Sequence, residues 1–128
     1  MNDMYEQGLR TRRAVLGPEH VDRALSEATS TSAPMQQLVT EYCWGGAVWS
    51  REGLDLKTRS LLTVAMLAVL NRGQELRAHI RGAVTNGASE VELQEVLLQV
   101  AVYGGVPAGI EGFRAADEVL GALREGLS

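Results

Sequence analysis

The chain has 128 residues and a formal net charge of −4 at pH 7, enough sequence for one domain with a sizeable core and too acidic to suggest nucleic acid as a partner. Its single cysteine, Cys43, excludes an intrachain disulfide framework or a two-thiol redox pair, and its two histidines, His20 and His79, lack zinc-binding spacing. No apolar run is long enough to span a bilayer and no export signal opens the chain, so a cytoplasmic protein without a membrane partner is expected.

Met4 to Leu16 reads as a first helix of mixed polarity, stopped by Gly17-Pro18. Pro18 fits the first turn of the next helix, to Ala28, because the N–H it lacks would be unpaired there anyway. After the polar connection Thr29 to Ser32, a helix from Pro34 carries Met35, Leu38, Val39 and Tyr42 and ends near Gly45-Gly46, which Trp44 and Trp49 bracket. Leu56 to Leu70, with Asp55 as its expected cap, is apolar on nearly every side along its second half. Such a helix needs neighbours all round, which favours self-association. Gln74 to Asn86 forms the next helix, ended by Gly87 in a left-handed conformation. Ser89 with Glu92 is a capping box opening a helix through Leu93, Val96, Leu97, Val100 and Ala101. A final helix starts near Pro107 and runs through Ile110, Phe113, Ala116, Val119 and Leu123.

No segment alternates with the two-residue period of a half-buried strand. The fold class is therefore all-α, a compact domain of six to seven helices. Residues 1–33 form an N-terminal helical segment and 34–128 the helical core, the whole chain making one domain.

The chemistry centres on the helix holding His79. At about 100° per residue, Glu75 and His79 share a face one turn apart, with Arg72 below and Gly82 and Asn86 above. Leu76, Ile80, Ala83 and Val84 make an apolar arc beside them, so the pair sits at a core border, where a carboxyl and an imidazole are useful for proton transfer. The same spacing also suits a simple helix-stabilising pair. Arg59, on the face of Thr63, Met66 and Leu70, either carries its charge outward or pairs inside a cleft with Glu75 or a substrate carboxylate. Arg77 and Arg81 point away and are expected to be solvated. Trp44, Trp49 and Tyr103 are candidates to line an apolar pocket, with core packing as the competing role. Gly104-Gly105-Val106-Pro107 can bring backbone N–H groups, Gly105 among them, against a ligand at a helix start, although it lacks nucleotide-loop order. Cys43 is expected to be a small core residue and His20 to lie on the exposed part of its helix.

The stretches GLDLKTRSL, ELRAHIRGA and EVLLQVAVYGGVPA together resemble the carboxymuconolactone decarboxylase family, in its small 4-carboxymuconolactone decarboxylase branch, from about Met35 to Leu120. The resemblance implies an all-helical homo-oligomer, a hexamer, that uses no cofactor. It also implies decarboxylation of 4-carboxymuconolactone to β-ketoadipate enol-lactone in aromatic (protocatechuate) catabolism, with His79, Glu75 and Arg59 as catalytic residues. Arg72, Trp44, Trp49, Tyr103 and Gly105 then line the substrate, a small anionic lactone or carboxylate. The peroxidase-linked branch carries C-x-x-C-x-x-x-H where this chain has Arg72, Glu75 and His79, so its disulfide exchange is absent. The chain departs from the decarboxylase branch in having Gly104 where YCGVPA has cysteine, and in an extra glycine near Gly46 that bears on substrate choice. The alternatives are a decarboxylase, isomerase or retro-aldolase acting on a related lactone or β-keto acid, and a nonenzymatic helical assembly protein.

Overall fold

A computed structural model describes residues 3–126 of the chain. Among these residues there is no strand, and seven α-helices and one π-helix carry the fold. The chain forms two compact units, Met1–Leu56 and Lys57–Ser128. No helix among the described residues is long and apolar enough to cross a membrane.

The N-terminal unit holds α1 (Asp3–Leu16), α2 (Pro18–Ser26) and α3 (Ala33–Leu38), the last running directly into a π-helix, Val39–Cys43. The π-helix is set by a bond from Trp44 N to Val39 O at 3.1 Å, one residue longer than the α-helical repeat, and the periodicity of Pro34 to Tyr42 does not disclose it. Helix α1 packs against α2 and the π-helix. Gly8 makes that packing possible: a side chain there would run into the carbonyl oxygen of Thr40 and lie 3.0 Å from Gly45 N. Gly45 is equally hemmed in, its missing Cβ falling 2.8 Å from Met4 O. Backbone therefore meets backbone. Into the same contact α1 sends Arg12, only 6% exposed, whose Nη1 donates to Thr40 Oγ1 at 3.2 Å. Burial pushes the Arg12 guanidinium below its ordinary value, opposed by nearby Tyr5 and Cys43.

The C-terminal unit is built on apolar burial. Its helices are α4 (Leu56–Val69), α5 (Gly73–Thr85), α6 (Glu90–Gly104) and α7 (Val106–Arg124). Val64 and Ala68 of α4, Leu76, Ile80 and Ala83 of α5, Leu93, Leu97 and Val100 of α6 and Ala115, Ala116 and Val119 of α7 make one core. Apart from the adjacent Ala115 and Ala116, each set recurs at three or four residues, the spacing that puts side chains on one helical face. Gly112 lets Leu97 in, since a Cβ there would lie 2.7 Å from Leu97 Cδ2, and Gly109 does the same for Ala101. The capping box forms as expected: Ser89 Oγ accepts from Glu92 N at 3.0 Å and Ser89 N donates to Glu92 Oε1 at 2.9 Å. Glu92 also pairs with Lys57 at 3.0 Å, tying α6 to the start of α4. Gly87 (φ 98°) follows α5 in the conformation anticipated for it.

Within the chain the core takes only the stripe of Ser60, Val64 and Ala68 from α4, leaving Leu62, Met66 and Val69, with Leu70 just after the helix, exposed. Two expectations need correction. Arg77 and Arg81 are not simply solvated. The packing of α7 against α5 brings Glu118 Oε2 to 2.7 Å from Arg77 Nε, while Arg77 Nη1 donates to Gly73 O at 2.9 Å and the Nε of Arg81 is buried. Cys43 and His20 are both half-buried, so neither the core role of the first nor the open position of the second is fully realised.

Candidate functional site

The ionisable residues singled out in the sequence lie at three places in the C-terminal unit. Arg59 sits in the first turns of α4, its carbonyl accepting from Thr63 Oγ1 at 2.8 Å. Its residue is half-buried and its Nε is shielded from solvent, so the guanidinium is not carried fully outward. Arg72 caps α5 with φ −104° and ψ 75° and is exposed. One turn into that helix comes Glu75, exposed, and one turn later His79, half-buried.

Burial on α5 gives His79 an orientation. Leu76, Ile80 and Ala83 are locked into the core on one side, and the imidazole Nδ1 is itself shielded. Arg77, two residues from Glu75, is already committed to Glu118 and the Gly73 carbonyl, so it does not compete for the Glu75 carboxylate. The arrangement provides a half-buried imidazole, an exposed carboxylate on the same face, and a partly buried guanidinium on α4. Those are tools for moving a proton and holding an anion.

The other candidates fall elsewhere. Tyr103, 84% exposed, stands on an apolar groove of about 400 Å³ between α4 and α6, walled by Leu61, Leu62, Ala65, Val69 and Val100. None of Arg59, Glu75 or His79 lines it. Gly105 separates α6 from α7 with φ 110°, a conformation open to glycine, and is the N-cap residue of α7. Trp44 and Trp49 belong to the N-terminal unit and stack on each other, with ring centroids 4.2 Å apart and planes at 23°. Trp44 is buried; Trp49 forms a wall of a cleft of about 630 Å³ in that unit.

That cleft was not anticipated from the sequence. Gln7, Arg10, Thr11 and Ala14 line one side and the segment after Trp49 the other. The spacing of the four α1 residues, three and four apart, is a legible helical face, yet nothing in sequence tells what lies opposite. Thr11 and Ser50 are joined at 2.8 Å, and Ser50 Oγ donates to Trp44 O at 2.7 Å.

Residues 33–118 match the family model described as the carboxymuconolactone decarboxylase family. The chain belongs to that family and is a carboxy-lyase of its type. Among its relatives, the 4-carboxymuconolactone decarboxylase of Acinetobacter baylyi is 42% identical over 121 residues, covering 93% of this chain and 90% of the relative. The nitrosuccinic acid decarboxylase npaB of Metarhizium robertsii is 45% identical over 117 residues, covering 91% and 81%. An uncharacterised 15.0 kDa protein of Paracoccus denitrificans is 35% identical over 103 residues, 79% and 75% of the two chains.

Proposed function

We propose that the protein removes carbon dioxide from 4-carboxymuconolactone without a cofactor, giving β-ketoadipate enol-lactone in aromatic catabolism. The observation that carries this reading is the 42% identity with a 4-carboxymuconolactone decarboxylase along nearly the whole of both chains. The carboxylate to be lost sits on the ring carbon bonded to the lactone oxygen. When its carbon–carbon bond breaks, the electron pair moves through the ring double bond to the lactone carbonyl oxygen, and a furan-like dienolate forms. The substrate is its own electron sink. What the protein must supply is a donor for that oxygen and a proton for the ring carbon alpha to it.

In this proposal protonated His79 donates to the developing oxyanion or protonates the ring carbon, and Glu75 orients the imidazole from one turn below. Arg59 holds the distal acetate carboxylate. A cation on the departing carboxylate would favour the ground state over the transition state, where that charge has moved away. Arg72, exposed at the start of the same helix, completes the substrate surroundings. The uncovered apolar face of α4, with Leu98 and Val102 exposed on α6, supports assembly into a homohexamer.

The 45% identity to a nitrosuccinic acid decarboxylase favours a second reading. In nitrosuccinic acid a carboxylate adjoins the carbon bearing the nitro group, whose oxygens can take the electron pair just as the lactone carbonyl does. The same protein groups serve either reaction.

Turnover of freshly prepared 4-carboxymuconolactone and of nitrosuccinic acid, followed side by side by ultraviolet absorbance and carbon dioxide release, tests the assignment. His79→Ala is expected to lower kcat by roughly 10²- to 10⁴-fold. Full turnover in that variant removes His79 from the chemistry, and turnover of nitrosuccinic acid alone moves the substrate to the second reading. Arg59→Ala is expected chiefly to raise KM.

A further inference from the structure

The cleft of the N-terminal unit has the properties of a small-molecule site. Its volume of about 630 Å³ falls within the range of roughly 300–1,000 Å³ usual for ligand pockets. Its walls are tied in place from several directions: Thr11 bonds Ser50, Ser50 bonds the Trp44 carbonyl, and Trp49 N and Ser50 N donate to Cys43 O and Gly45 O at 3.0 and 3.2 Å. A site already shaped loses little freedom when a ligand enters.

The lining also indicates the ligand's chemistry. The Ser50 hydroxyl proton goes to the Trp44 carbonyl, so the Thr11 hydroxyl supplies the proton of the Thr11–Ser50 bond. Both hydroxyl protons are thereby spent within the wall. Trp49, braced by its stack on Trp44, offers a rigid aromatic surface, and Ala14, Leu54 and Leu56 add apolar area, a lining suited to a flat ring. Arg10 brings a guanidinium to the same cleft, and among the described residues it has no carboxylate partner. Arg51, Glu52 and Asp55 stand on the opposite wall; Arg51 and Asp55 are each already engaged, and Glu52 opposes a second negative charge.

We propose that this cleft binds a flat, ring-bearing monocarboxylate, its carboxylate on Arg10 and its ring against Trp49. The enol-lactone product of the proposed decarboxylation has one carboxylate, on an acetate arm of its ring, whereas its substrate has two. The cleft is then a product-recognition site, a link that rests on the functional reading above; the binding chemistry itself does not.

The test is titration of the intact protein with benzoate, read by tryptophan fluorescence, with phthalate as the two-carboxylate comparison and benzyl alcohol as the neutral one. The expected result is saturable quenching by benzoate that Arg10→Gln weakens roughly tenfold or more. Arg10→Lys restores part of it, and phthalate and benzyl alcohol bind less tightly. His79→Ala leaves benzoate binding intact, which separates this test from any failure of the decarboxylase assignment. The proposal is overturned by an absence of saturable quenching, by Arg10→Gln binding as tightly as the unaltered protein, by phthalate binding more tightly than benzoate, or by loss of binding in His79→Ala.

Discussion

The two units hold their helices together by different means. In the C-terminal unit, four amphipathic faces close on an apolar core, and glycines at 109 and 112 of α7 admit α6 side chains. In the N-terminal unit the decisive contacts are polar or made by backbone: Gly8 against Thr40, buried Arg12 on the Thr40 hydroxyl, and the hydroxyl chain from Thr11 to the Trp44 carbonyl. Apolar packing is forgiving of detail, because many side chains share the burial. A polar contact works only if each donor finds its acceptor, so it specifies geometry more sharply and fails more abruptly.

Substitutions can probe that contrast. The largest effect is expected from Leu97→Ala, which empties the fully buried centre of the apolar core and should cost about 2–5 kcal/mol in chemical denaturation. A change below 1 kcal/mol would deny the C-terminal unit its dependence on burial. Gly8→Ala comes next, at about 3 kcal/mol, since the new methyl meets backbone that cannot rotate away; amide exchange should rise first in α1 and the π-helix. Thr40→Val should cost about 1.5–3 kcal/mol by leaving the buried guanidinium without its acceptor, whereas Arg12→Met removes the need for one and should cost less. If the order of these two were reversed, Arg12 would matter for its charge rather than for its fit. The smallest effect is expected at the α6 cap, where Ser89→Ala should cost about 1 kcal/mol.

The cap also has a pH signature. The Ser89 backbone bond and then the Lys57 side chain hold the Glu92 carboxyl below its ordinary value of 4.5. A carboxyl depressed in the folded state contributes stability above its unfolded value. As pH falls below 4.5 the unfolded chain takes up the proton first, and the contribution is gone once the pH passes below the lower folded value. Glu92→Gln should flatten this part of the acid denaturation curve, and an unchanged curve would exclude the cap as its source.

Most helix positions were legible because apolar spacing, Pro18, Gly87 and the Ser89–Glu92 box are local signals, each acting within a turn or two of itself. The family resemblance was legible for the same reason that it is specific: it needs three separated stretches at once. The π-helix at Val39–Cys43 left no mark of its own, since its single extra residue per turn hardly disturbs the spacing of Met35, Leu38 and Tyr42.

Sequence alone determined that the chain is helical, that His79 shares a helix face with Glu75, and that no pair of thiols accompanies them. Tertiary structure decided that Nδ1 of His79 is buried, that Arg77 is claimed by Glu118, that one side of α4 stays uncovered within the chain, and that Arg10 and Trp49 line one cleft. Helical spacing is a property of neighbours along the chain, whereas burial, ion pairing and cleft walls depend on residues tens of positions apart, as with Thr11 and Ser50, and only packing selects which of them meet.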